Sequence, residues 1–250
     1  LNRGTLILTI IAGTLVFLAV LVLYLPAGWF ASRLPPQVGC GELGGSIWHG
    51  ECLGLTAQGG NFGDATWNLS PLKALTGRLS GDVDLRGGLA TVRANLDMGY
   101  DGAGEITGLS AQFPMDPAFV KQFPRDQRGL VVAQFDRVVL DARGVPRQLL
   151  GNVELRDFRQ ISPRLLELGS YRLTFDGSTQ ANGVSVGQLV DTGGPFAVDG
   201  TVTFTPPNTY VIKGFITGRT AQAEGIVREI TYGVPPDASG RSEFQFENSF

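Results

Sequence analysis

Ser46 and His49 lie three residues apart, and a serine hydroxyl beside an imidazole could serve as nucleophile and general base. Their neighbours do not make the strand–turn–helix setting of a nucleophile elbow, and no third partner is evident. His49 is the only histidine of 250 residues, so a two-histidine metal site within one chain is impossible. Cys40 and Cys52 allow three readings: a disulfide, two buried thiols, or a metal site completed by His49 and Glu51. The disulfide would be worth about 3 kcal/mol in chain entropy. The metal reading has to accept a C-x8-H-x2-C spacing that is uncommon for zinc. Asp82 and Asp84 share one face of a strand, as paired carboxylates could, although solvated strand aspartates are far commoner. Gly44-Gly45 and Gly59-Gly60 are not followed by the Gly-Lys-Ser/Thr of a phosphate loop. The expectation is a protein that is not an enzyme, with no catalytic residue, no metal and no cofactor.

Composition narrows the partners. The 20 basic and 23 acidic side chains leave a net charge of −3, which argues against nucleic acid. A hydrophobic content of 43% excludes a disordered chain, and the 35 glycines follow no three-residue period.

Residues 5–25 contain no charge and as a helix would reach about 31 Å, the thickness of a bilayer's hydrocarbon core. Pro26-Ala27-Gly28 keeps a cleaved signal in view, but the apolar run is longer than a signal's core. The expected layout is a cytoplasmic N-terminus at 1–4, a transmembrane helix at 5–25, a linker at 26–39 and a periplasmic β domain at 40–250. The chain would then sit in the inner membrane by a single pass. An oxidising periplasm would suit the cysteine pair.

Beyond the linker, segment after segment alternates with period two. Val83 and Leu85 oppose Asp82, Asp84 and Arg86, while Val92, Ala94, Leu96 and Met98 oppose Arg93, Asn95 and Asp97. The pattern recurs through Val153, Leu173, Val198 and Ile212 to Phe244 and Phe246. One apolar and one polar face suit an elongated, curved antiparallel sheet. Short helices are expected after Ser70-Pro71, Asp116-Pro117 and Ser162-Pro163, with Gly77 and Gly169 as C-caps, and a longer one over Thr220–Tyr232. SPLKALTG and SPRLLELG, 92 residues apart, suggest two similar halves. Residues 121–172 carry ten basic and six acidic groups, read as arginines guarding sheet edges, with a patch for an acidic partner or lipid headgroups as the rival.

Two tryptophan segments are the most individual feature. One is Gly45-Ser46-Ile47-Trp48-His49-Gly50; the other runs from Trp67 through Pro71 to Gly77. As core anchors on neighbouring strands the tryptophans would be structural, and Trp67→Ala would cost about 3–5 kcal/mol. With one apolar N-terminal helix before them, these segments resemble the type II secretion system protein N family. Gly194-Pro195-Phe196 and Tyr232 to Gly240-Arg241 resemble it at the other end. The resemblance implies an inner-membrane component of the machinery exporting folded proteins across the outer membrane, with β surfaces that dock other secretion components. The rival reading is an envelope lipid-binding or lipid-transfer protein using the apolar face of a curved sheet.

Overall fold

In the computed structural model, residues 3–29, 38–57, 60–117, 123–179, 183–206, 209–231 and 234–249 are described. Helix α1 is Arg3–Leu23, followed by β1 (Val38–Gly45), β2 (His49–Ala57) and β3 (Gly60–Leu69). A short helix α2 (Pro71–Ala74) leads into β4 (Arg78–Gly87), β5 (Thr91–Gly99) and β6 (Gly104–Pro114). The long central strands are β7 (Gln127–Leu140), β8 (Pro146–Gln160) and β9 (Leu166–Asp176). Then come β10 (Ser185–Gly193), β11 (Phe196–Thr205), β12 (Thr209–Gly218), helix α3 (Ala221–Ile230) and β13 (Ser242–Ser249). All 13 strands form one sheet in strict sequence order, and every neighbouring pair is antiparallel.

α1 is a 21-residue helix in which no charge follows Arg3. Among the residues whose side chains are described, no helix is long and apolar enough to cross a membrane. Apart from Thr9, Gly13 and Thr14, the residues of α1 from Leu6 to Leu23 are apolar. Its described side chains, Ile10, Val16 and Phe17 among them, stand exposed. Of the expected linker, residues 30–37 lie outside the described residues.

The alternating pattern gives the sheet two unlike faces. Second-neighbour strands in a flat sheet lie about 9.5 Å apart, yet β8 and β10, and β9 and β11, approach within 8 Å between Cα atoms. Around this bend Phe175 and Ser185 on the apolar side are buried, whereas Thr174 and Gln188 on the other side are exposed. The Phe135 and Phe175 rings meet at 6.3 Å across β8 on the apolar side, which is the inside of the bend, and α3 covers part of that side over β9 to β11. Register shifts in β7–β8 and β8–β9, with Asp157 at φ +50°, add local twist.

α3 closes the C-terminal part of the apolar side. Thr220 caps it by accepting from the Ala223 N–H at 3.1 Å, and Ala223 and Val227 pack on Phe196 and Val198. Gly218 lets the helix come this close, since a Cβ there would stand 2.3 Å from the Glu224 nitrogen. The expected helix over Thr220–Tyr232 is therefore present, with Tyr232 outside the described residues.

α2 begins at Pro71 and stops before Gly77 at φ +82°, as the sequence suggests. Its Ser70 hydroxyl makes no capping bond; the Ser70 N–H instead donates to the Ser80 carbonyl at 2.7 Å. The helix expected after Ser162-Pro163 is absent: that peptide is cis, and the chain enters β9 at Leu166. Pairing with β8 and the packing of Leu168 toward α3 outweigh a local cap signal. The two similar segments thus fold differently, and the sheet runs on without dividing into halves. The segment following Asp116-Pro117, residues 118–122, lies outside the described residues.

On the polar face, carboxylates sit between cations from neighbouring positions. Asp84 pairs with Arg86 at 2.5 Å and Arg93 at 2.9 Å, and Glu154 with Arg156 at 2.5 Å and Arg172 at 2.7 Å. The Arg86 hydrogen bond, helped by that of Arg93 and opposed by desolvation, holds the Asp84 carboxyl below its ordinary range. Arg156 and then Arg172 do the same for Glu154. The arginines of 121–172 therefore lie mostly in central strands, not at sheet edges as the sequence suggested.

Carboxylates depressed in the folded state add stability that is complete above their unfolded pKa and lost as pH falls through the lower folded value. Glu154→Gln should lower the melting temperature at neutral pH by about 2–4 °C, because half-exposed pairs contribute little. The gap between variant and parent should close on acidification. Melting curves separated equally at both pH values would refute this account of Glu154.

Candidate functional site

The residues that could have done chemistry are occupied with structure. The Ser46 hydroxyl accepts from the backbone N–H groups of Trp48, at 3.2 Å, and His49, at 3.1 Å, and so closes the β1–β2 turn. His49 is exposed beside it. Cys40 and Cys52 are joined as a disulfide across the β1–β2 hairpin, which removes the two thiolates that a metal site with His49 would need. Among the described residues no group of three or more His, Cys, Asp or Glu side chains could hold a metal ion. Asp84 is engaged by two arginines, and Asp82 lies opposite Asn68 and Asn95.

The tryptophan segments build one joint. The Trp48 indole N–H donates to the Val22 carbonyl in the last turn of α1 at 2.8 Å, and the Ile47 N–H donates to Leu25 at 3.0 Å. The Trp67 indole N–H donates to the Ile47 carbonyl at 3.1 Å. Glycines make room for these rings. A Cβ on Gly50 would fall 2.3 Å from the Trp67 ring, and Gly45, at φ +76°, turns the chain against His49. Pro71 opens α2, Gly77 ends it, and the Tyr100 hydroxyl donates to the Ala74 carbonyl at 2.7 Å. The segments from Gly45 to Gly50 and from Trp67 to Gly77 thus fasten α1, the first hairpin and α2 together.

The larger feature is a line across the sheet. Paired positions on one face run Leu43, Cys52, Ala65, Leu85, Val92 and Ala111 over β1 to β6. The line continues through Ala133, Val153, Leu173 and Leu189, then Gly200, Gly214 and Phe244 on β13. Each of the 13 strands gives it one residue, and none is charged or carries a hydrogen-bonding side chain in its bonded state. At roughly 4.8 Å per strand it extends about 58 Å along the sheet. A parallel row from Leu109 through Phe135, Phe175 and Val202 to Phe246 widens it, and the Phe135 and Phe175 rings meet at 6.3 Å over Gly151. Small residues at Ala111, Ala133, Gly200 and Gly214 make a shallow floor on the inside of the bend.

This apolar trough deepens near its first strands into a recess of about 360 Å³, walled only by Trp67, Leu69, Leu79, Val83, Leu96 and Met98. At the other end α3 covers part of it. There the Tyr171 phenol donates to the Leu168 carbonyl, and burial first, then the charge of Asp191, pushes its pKa up to about 12.

Sequence reading found the apolar alternation and both tryptophans, but not the line across strands or the bond from Trp48 to α1. Small residues at inward positions of successive strands were its one visible sign. The edges of the sheet also differ from expectation. Neither β1, VGCGELGG, nor β13, SEFQFENS, carries a lysine, arginine or proline, and neither shifts register against its neighbour.

A model of the family described as type II secretion system (T2SS), protein N, matches residues 36–245. No curated protein and no solved structure matches the chain.

Trp48 is 7% exposed, whereas Trp67 is half-buried and borders the open recess. Trp48→Ala should therefore cost about 3–5 kcal/mol and Trp67→Ala nearer 2 kcal/mol, a lower figure than sequence alone suggested. Urea unfolding of both variants checks the order; a larger loss at Trp67 would contradict it. Reduction of the disulfide should speed amide hydrogen exchange in β1 and β2 and leave β7–β9 protected. Uniform loss of protection would mean that the bridge supports the entire sheet.

Proposed function

Because the chain belongs to the type II secretion system protein N family, we propose that it is an inner-membrane-anchored periplasmic component that docks other secretion components through the bare edges of its sheet. Family membership carries the coarser statement: the protein has a role in type II secretion, in the cell envelope, alongside other components of that system. The anchor is supported by the unbroken apolar run of α1, with residues 1–4 on the cytoplasmic side, 5–25 in the bilayer and 40–250 in the periplasm. In this reading the protein is not an enzyme. The turn role of the Ser46 hydroxyl and the exposure of His49 support that.

The observation behind edge docking is the composition of β1 and β13. A terminal strand offers unpaired N–H and C=O groups to any extended segment, and proteins normally block such edges with charge, proline or bulges. Here the arginines lie in the middle of the sheet, and the edge strands carry glutamates (Glu42 in β1, Glu243 and Glu247 in β13) but no lysine, arginine, proline or register shift. A partner strand added there would be held by main-chain hydrogen bonds, with side-chain alternation setting its register.

Photoreactive residues placed in cells at Glu42 in β1 and Gln245 in β13, with Arg93 on the polar face for comparison, test this. Adducts with other secretion components are expected from an edge and not from Arg93. Adducts from Arg93 alone, or none from either edge in secreting cells, would overturn edge docking.

A further inference from the structure

We propose that the apolar trough is a seat for lipid acyl chains, which enter it from the bilayer at the recess beside Trp67. The inference rests on the reading of α1 as a membrane helix and goes beyond the docking role assigned to the edges.

Position is the first argument. Trp67 walls the recess and bonds to the Ile47 carbonyl, while Ile47 and Trp48 bond to the Leu25 and Val22 carbonyls at the end of α1. One residue, Ile47, therefore separates the recess from the point where α1 would leave the bilayer. The Trp67 indole N–H is satisfied by its bond to Ile47, so this ring turns only carbon toward the recess. From there the apolar line continues strand by strand through Ala111, Ala133 and Val153 toward the part of the face that α3 covers.

Chemistry selects the occupant. An extended peptide would bring N–H and C=O groups that need partners, and the trough offers none: its inner backbone groups are used in the ladder and its side chains are apolar. An α-helix satisfies its own backbone, but the one that packs on this face, α3, lies against residues of β9 to β13 and not against Ala111, Ala133 or Val153. The trough is tightly bent where β8 nears β10 and β9 nears β11 within 8 Å. A hydrocarbon chain has no polar group to satisfy and is slim enough to follow that bend. A second copy of this chain has edges free for pairing and need not bring face to face two surfaces that bend inward.

The full chain, reconstituted in vesicles of phosphatidylethanolamine and phosphatidylglycerol with a small share of phospholipid bearing a diazirine midway along one acyl chain, provides the test. After irradiation, adducts are mapped by mass spectrometry. The expected result is labelling of α1 and also of the line at Ala111, Ala133 and Val153, with Arg137 and Arg172 on the polar face unlabelled. Ala133→Trp fills the floor with apolar bulk and should lower labelling from Val153 onward about tenfold, leaving α1 unchanged. Ala111→Trp should act alike one strand earlier, and circular dichroism establishes that each variant folds. Labelling of α1 without the line would overturn the trough and leave the anchor standing. Absence of label from α1 would remove the anchor and the trough together. Equal labelling of both faces, or crosslinks joining two copies through the line, would also overturn the proposal.

Discussion

The structure depends on one constraint: a sheet whose strands pair only with their sequence neighbours, and over which the described residues lay only α3, must shelter the rest of its apolar face by bending around it. Ordinarily a half-apolar sheet packs against a helix layer or another sheet. Here α3 supplies that cover over one end only, where Ala223 and Val227 meet Phe196 and Val198. Elsewhere the curl itself does it. Bending brings inward side chains together, so the inward positions must be small where curvature is high. Alanine at 111 and 133 and glycine at 200 and 214 meet that demand, and facing glycines at 200 and 214 let β11 and β12 come close.

Outward side chains are spread apart by the same bend, and long charged ones fit there. Asp84 and Glu154 each bind two arginines, so a carboxylate ties positions on one strand or across two. Using arginine this way has a consequence at the margins. Cations concentrated on β4 to β9 are not available to blunt β1 or β13, and the edges remain receptive. An edge strand without cation, proline or bulge keeps its main-chain groups open to pairing.

Much of this could be read in the sequence, and what could not has physical causes. Period-two alternation marks strands because it is local, and Pro71 with Gly77, or Thr220 before an apolar helical face, marks helices for the same reason. Ser162-Pro163 misled because it carries the same local signal while Leu166 and Leu168 answer to β8 and α3, contacts that a sequence window does not contain. The three readings of Cys40 and Cys52 stayed open because spacing alone does not place two sulfurs side by side; the β1–β2 hairpin brings their Cα atoms to 5.7 Å although the register pairs Cys40 with Leu55 and Cys52 with Leu43. The apolar line needed every register at once, including shifts at Arg93–Asn95 and Leu155–Phe158 that no pattern of residue types reports.

Edge docking and chain binding draw on different groups, so neither excludes the other. The edges offer main-chain donors and acceptors in the plane of the sheet; the trough offers side chains on one face of it. They are nonetheless coupled by geometry. A strand added to β13 sets its inward residues beside Phe244 and Phe246, and Phe246 is 52% exposed as the sheet stands. An apolar residue arriving there would bury that ring and carry the line one strand further. A polar residue would end the trough at this chain. The inward residues of any strand added at β13 would therefore decide whether the apolar line ends with this chain or runs on into its partner.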